Sequence, residues 1–257
     1  MTICIAAIGK EANGEVIVFA TDHMVTLPTV GQFEMTVEKY KLITSNTIAM
    51  LSGETLLFND VIEPCKNNCT FDEMKTRIRT KMSEIKTNRI QKELLDTYKL
   101  TYANLQDLLK TPLQNPYAGN LFETISKYTL NTIVVLIGFK SHEAQITEIT
   151  EAKNAEAREI GFDAIGTGGM QAVNTLMFQR HSKNNDVSTT VYNVYKAKRN
   201  AEVAVGVGKE TDMLILRESG IEKIDEGKIK ILSQIYEEEL KYGKSNEKLK
   251  NVVEKTT

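Results

Sequence analysis

Met1-Thr-Ile-Cys-Ile-Ala-Ala-Ile8, Gly9-Lys-Glu-Ala-Asn-Gly14 and Val16-Ile-Val-Phe-Ala20 lie close together at the start of the 257-residue chain. Two apolar, β-branched-rich runs flank a polar segment bounded by glycines, which predicts a β-hairpin with a loop longer than the tightest turn. A second apolar pair follows, Tyr40-Lys-Leu-Ile43 and Ile48-Ala-Met-Leu51, split by polar Thr44-Ser-Asn-Thr47 and closed by Ser52-Gly53. Leu57, Val61 and Ile62 are spaced for a short helix that Pro64 stops. Thr70-Phe-Asp-Glu73 has the form of a capping box. Met74, Ile78, Met82 and Ile85 continue from it at helical spacing, and the helical reading extends through Leu94, Leu105 and Leu109. Pro112 to Gly119 reads as a break.

A second β block follows, with Thr132-Ile-Val-Val-Leu-Ile-Gly138, the alternating Ala144-Gln-Ile-Thr-Glu-Ile-Thr150 and Phe162-Asp-Ala-Ile165. The glycine turn Gly166-Thr-Gly-Gly169 opens a helix from Met170 to about Gln179. Another helix from about Val187 to Glu202 is led by a capping Asp186. Val203-Ala-Val-Gly-Val207 and Met213-Leu-Ile-Leu216 are expected as strands. From Lys228 the chain is highly charged, with Ile231, Leu232, Ile235 and Leu240 at helical spacing and a disordered end expected. Runs of strands alternating with helix pairs predict helices layered on largely antiparallel sheets, in one domain, rather than a βαβ alternation.

Composition narrows the function classes. With 32 basic against 34 acidic side chains, the net charge of −2 argues against a general nucleic-acid footprint. Three cysteines, Cys4, Cys65 and Cys69, make no disulfide framework and point to a reducing, cytoplasmic compartment. The longest apolar run, Ile133 to Phe139, is far short of a membrane span, and the start lacks the regions of a signal peptide. Cys65 and Cys69 have no histidine near them in sequence, so no metal or other cofactor is expected. His-Glu-x-x-His and Gly-x-Ser-x-Gly are both absent.

Several positions could carry chemistry together. Removal of Met1 would expose Thr2 with a hydroxyl and a free α-amine, and an amine with a reference pKa of about 7.7–8.0 can serve as base to its own hydroxyl. Many chains begin Met-Thr for no catalytic reason. Asp22 ends an apolar run, where a carboxylate is usually a turn former. Lys39 enters the next strand, where a lysine is normally solvent-facing. Ser52-Gly53 and the 166–169 turn each join a strand to a helix, a place where backbone N–H groups can face an oxyanion.

In their order, Thr2-Ile-Cys-Ile-Ala, Val16-Ile-Val-Phe-Ala-Thr-Asp22, Thr36-Val-Glu-Lys39, Ala49-Met-Leu-Ser-Gly53 and Ala164-Ile-Gly-Thr-Gly168 resemble the proteasome β-type subunits and their bacterial relatives, among the N-terminal-nucleophile hydrolases. The resemblance spans about Thr2 to Leu216. It implies Thr2 as nucleophile, Asp22 and Lys39 as its catalytic partners, Gly53 as oxyanion donor and Thr167 in place of a supporting serine. Lys39 and Gly53 stand fourteen positions apart, in agreement with the spacing expected in that family. It further implies that Thr26 pairs with substrate backbone and that Val25, Val37 and Leu51 line an apolar specificity pocket. The family's supporting aspartate and Ser-Gly pair have no clear equivalent in Arg199-Asn-Ala-Glu-Val-Ala-Val-Gly206, where Asn200 or Glu202 are the candidates.

The expected fold is α+β, a four-layer αββα sandwich over 1–220 with a charged, partly helical extension over 221–257. The expected activity is that of a threonine endopeptidase cutting peptides or unfolded proteins within a ring-like homo-oligomer. Helix faces around Met74 to Ile90 and a helix from Ile229 to about Leu240 are the candidate contact surfaces, the latter with two expected placements, against a neighbour or on its own subunit. A non-catalytic structural subunit and an amidase or acyl transferase of the same fold are the competing readings. The sequence names neither the substrate, the ring size nor an ATPase partner.

Overall fold

The N-terminal hairpin is tighter than its sequence pattern predicts. β1 (Ile3–Glu11) and β2 (Gly14–Asp22) pair antiparallel as far as Glu11 opposite Gly14. Only Ala12 and Asn13 remain for the turn, and Gly14 takes φ +136°. Most of the expected loop is therefore strand, because Gly9 and Lys10 continue the ladder opposite Val16 and Glu15. The structure, a computed structural model, describes residues 2–27, 31–35, 38–66, 69–110 and 116–244.

Two five-stranded sheets and one small hairpin account for the β structure of these residues. The first sheet has the order β10-β1-β2-β11-β12, where β10 is Phe162–Gly166, β11 Thr211–Arg217 and β12 Gly220–Lys223. The second has the order β5-β6-β7-β8-β9, from β5 (Tyr40–Thr44), β6 (Thr47–Ser52), β7 (Ile133–Lys140), β8 (Glu143–Ile149) and β9 (Asn154–Glu156). Between them in sequence lies the separate hairpin β3 (Met24–Leu27) and β4 (Gly31–Glu34), which the apolar pattern did not signal. Every ladder among the described residues is antiparallel. The protein thus combines α-helices with antiparallel sheets.

Three apolar clusters explain why β1 and β2 read as continuous apolar runs. Ile3, Ile5, Ala7, Val16, Val18 and Ala20 pack against α5 (Gly169–Phe178) and α6 (Val187–Ala201). The alternate residues Cys4, Ala6, Ile8, Ile17 and Phe19 meet Ile48, Met50, Val135 and Ile137 of the second sheet. On that sheet's other face, Ala49, Leu51, Val134 and Leu136 pack against α1 (Phe58–Ile62) and α2 (Phe71–Arg89). Both faces of the two central strands are consumed, and period-2 alternation vanishes from the sequence.

Helix ends follow their local chemistry. Thr70 caps α2 with both hydrogen bonds of the capping box, and the Asp186 carboxylate accepts from Thr189 N–H at the start of α6. Beyond α2, a π turn over Ile90–Leu95 and a left-handed Lys99 redirect the chain into α3 (Tyr102–Leu109). The expected break at Pro112 to Gly119 is corrected by α4 (Pro116–Lys127). Proline is tolerated in a first helical turn, where its missing N–H costs nothing. Residues 111–115 lie outside the described residues.

Val203 to Val207 is not a strand. It forms turns, with Val203 and Val205 78% and 77% exposed and Gly206 at φ +87°. The ladder position beside β2 belongs to β11, with Met213 opposite Ala20, so 202–210 carries the chain from α6 to that strand without joining the sheet.

The outer helices differ, the C-terminal one taking the second of its two expected placements, on its own subunit rather than against a neighbour. Met74, Ile78 and Met82 are buried under α2 in its own core and are not available to a neighbour. The C-terminal α7 (Glu226–Lys244) lies on its own subunit, with Tyr236 buried against the α5–α6 cluster and its hydroxyl bonded to Asn200. β12 spans residues on both sides of the expected 220/221 boundary.

Candidate active site

The registers of the first sheet gather several of the candidate residues at one end. Ile3 lies opposite Gly166, Cys4 opposite Thr21, and Asp22 opposite Thr211. Thr2, just ahead of β1, is 4% exposed, while Asp22 is fully buried and Lys39, entering β5, is 7% exposed.

Asp22 is the hub. Its Oδ1 accepts from Thr2 Oγ1 at 2.7 Å, from the Ile3 N–H at 3.1 Å and from Lys39 Nζ at 2.5 Å. Its Oδ2 accepts from the Gly208 N–H at 2.7 Å. A buried carboxylate is costly unless paired and hydrogen-bonded, and this one has a cation and three further donors. The anion therefore fixes both the backbone and the side chain at the start of β1.

Gly166 allows the nucleophile candidate to sit so close. It adopts φ +99°, and a Cβ there would lie 2.2 Å from the Thr2 carbonyl oxygen. Gly53 has the same requirement at φ +114°, where a Cβ would meet the Asn131 carbonyl oxygen at 2.2 Å. It follows β6, is exposed, and its N–H has no hydrogen-bond partner among the described residues. The Leu51 N–H donates to the Lys39 carbonyl at 3.2 Å, which ties the segment before Gly53 to the lysine.

The other sequence candidates are dispersed. Thr167 is exposed in the turn after Gly166, and its hydroxyl makes no hydrogen bond among the described residues. Val25 is half-buried on β3, and Thr26 lies opposite Gln32 in the β3–β4 hairpin. Leu51 is buried among Leu57, Phe58 and Val61 under α1. Val37 lies outside the described residues, as does Met1.

Neither candidate for a replacement aspartate bonds to Thr2. Asn200 donates to Thr175 Oγ1 at 3.1 Å and accepts from the Tyr236 hydroxyl at 2.7 Å, joining α5, α6 and α7. Glu202 accepts from Lys198 Nζ at 2.7 Å and pairs with Arg199 at 3.4 Å.

Lys198 itself escaped the sequence reading, because a lysine within a helix is ordinarily solvated. Its side chain is completely buried, and Nζ also donates to the carbonyls of Gly208 at 2.9 Å and Lys209 at 2.6 Å. Burial pulls its pKa below the ordinary lysine value, against the opposing pull of Glu202. The available signal was the Lys198/Glu202 i, i+4 pair at a helix end followed by Gly206 and Gly208.

A rival nucleophile beside Thr2 is disarmed. Burial pushes the Cys4 thiol up to about 12, so it stays protonated at neutral pH, and Sγ lies 3.8 Å from the Leu51 carbonyl. Cys65 and Cys69 donate to the backbone carbonyls of Met74 and Cys65, at 3.8 and 3.4 Å. Among the described residues no helix is long and apolar enough to cross a membrane. No protein-family model and no curated protein matches this chain.

Proposed function

We propose that the protein is an N-terminal threonine peptidase of proteasome type. The observation that carries this reading is the single Asp22 oxygen that accepts both the Thr2 hydroxyl and the Lys39 ammonium, at 2.7 and 2.5 Å. A buried Thr–Asp–Lys set just ahead of a strand suits a nucleophile whose own α-amine is the base. The layering of helices, two facing sheets and helices supports the finer reading of a four-layer αββα sandwich.

Removal of Met1 frees the Thr2 amine. The amine, directly or through one water, takes the hydroxyl proton as Oγ1 attacks the substrate carbonyl. Lys39, paired with Asp22, favours the developing alkoxide. The tetrahedral oxyanion is stabilised by the Gly53 N–H. Collapse breaks the C–N bond, the leaving amine receives the proton, and an ester to Thr2 remains. Water activated by the same α-amine then attacks the ester, which releases the acid and restores the hydroxyl.

The substrate is a peptide or unfolded chain; an apolar preference on the acyl side is supported by the resemblance and not by a shared pocket, because Leu51 is packed among Leu57, Phe58 and Val61. Confinement within a homo-oligomeric ring keeps such a nucleophile from folded neighbours. Exposed Met170, Met177 and Phe178 on α5 make that helix the better contact surface, in place of α2. Three free thiols suit the cytoplasm.

A peptide epoxyketone, which forms a ring with both the hydroxyl and the amine of an N-terminal threonine, provides the test. Intact mass should show loss of one methionine and one adduct per chain, and Thr2→Ala should carry none while remaining folded. A chain that retains Met1 and takes no adduct would place the protein among the non-catalytic subunits.

A further inference from the structure

We infer that Lys198 is a positioning residue for the Thr2 site, acting through the backbone of Gly208 on Asp22, an inference that rests on the peptidase reading for its catalytic consequence alone. The buried ammonium has three donors, and three acceptors surround it: Glu202 Oε1 and the carbonyls of Gly208 and Lys209. Two successive carbonyls drawn onto one cation fix the local backbone. In that orientation the Gly208 N–H meets Asp22 Oδ2 at 2.7 Å.

The opposite side of the same segment is clamped as well. Glu34 on β4 accepts from the N–H groups of Lys209 and Glu210. A Cβ on Gly208 would lie 2.5 Å from Glu34 Oε1 and 3.1 Å from the Met24 nitrogen, so any larger residue there displaces the Glu34 side chain.

The consequence falls on one torsion. Gly208 supplies the one hydrogen bond to Asp22 Oδ2 among the described residues, whereas Oδ1 carries Thr2, Ile3 and Lys39. Without the Gly208 N–H the carboxylate can turn about its Cβ–Cγ bond. The Thr2 hydroxyl and the Lys39 ammonium then lose their shared, fixed acceptor. A lysine sealed inside α6 thereby sets the geometry of a nucleophile that it never touches, whereas a purely packing role would leave Gly208 unaffected.

Lys198→Met keeps an unbranched side chain one atom shorter and removes its charge. In the full-length protein, amide exchange at Gly208 should accelerate by about 10- to 100-fold, the range expected for a lost charge-assisted hydrogen bond. Its amide proton should move upfield. The maximal rate of epoxyketone labelling should fall by a similar factor, with the half-saturating concentration unchanged. Gly208 exchange and maximal rate both within twofold of wild type would overturn the inference. Should Lys198→Met fail to fold, Glu202→Gln is read in the same way, and an unchanged Gly208 amide in that variant again overturns it. If wild-type Thr2 takes no label, the peptidase reading fails, while Gly208 exchange still decides whether Lys198 positions the site.

Discussion

At the scale of single residues, one oxygen atom decides the most. Asp22 Oδ1 holds a hydroxyl, an amide and an ammonium, so replacing the carboxylate leaves a buried cation unmatched. Asp22→Asn should lose about 3–5 kcal/mol, the range for breaking a buried ion pair by removing one partner, as read by urea denaturation. Its labelling rate should drop at least about a hundredfold, and a variant labelled as fast as wild type would remove Asp22 from the mechanism. Gly166→Ala tests the neighbouring constraint. The new methyl would stand where the Thr2 carbonyl oxygen is, in a backbone conformation that alanine disfavours. Melting should fall and labelling should vanish together, and a normally labelled Gly166→Ala would contradict the close approach.

Among the elements, the link from α5 to β1 responds to protons. His181, just past α5, is buried; its Nε2 donates to the Ile8 carbonyl at 3.0 Å and its Nδ1 accepts from Asn193 at 3.3 Å. Burial outweighs the carbonyl contact and holds its pKa below the ordinary histidine value of 6.5. The unfolded chain therefore binds the proton more readily. This contribution to stability is complete above pH 6.5 and is lost as the pH falls through the lower folded value. Urea midpoints should decline from pH 7.5 to 5.5, and His181→Gln should flatten the decline; an equal slope in the variant would exclude His181 as its source. Which elements were legible from sequence follows the same physics. The apolar hairpins and the Thr70 and Asp186 caps were, because strand runs and capping oxygens are local. So were Thr2, Asp22 and Lys39 as candidates, through the resemblance, and hydrogen bonds bring these three together. The strand expected at Val203–Val207 failed because alternating valines cannot reveal that β11 already occupies the ladder. Lys198 stayed hidden because burial of a helical lysine is a tertiary fact.

Considered as a whole molecule, the protein exposes apolar side chains on α5 and in the turn that holds Val203 and Val205, and sedimentation at micromolar concentration should show an assembly of several chains. A clean monomer would end the ring reading. The order of the first sheet has a further consequence, one of timing. Its strands β1 and β2 emerge first from the ribosome, yet their neighbours β10 and β11 begin at Phe162 and Thr211. The second sheet, from Tyr40 to Glu156, can pair much earlier in synthesis. Asp22 meets its Gly208 partner only when more than four-fifths of the 257 residues have been made. A ribosome-stalled chain ending near residue 200 should therefore take no epoxyketone. Until Gly208 has left the ribosome, the proposed site at Thr2 lacks the hydrogen bond that holds Asp22 Oδ2.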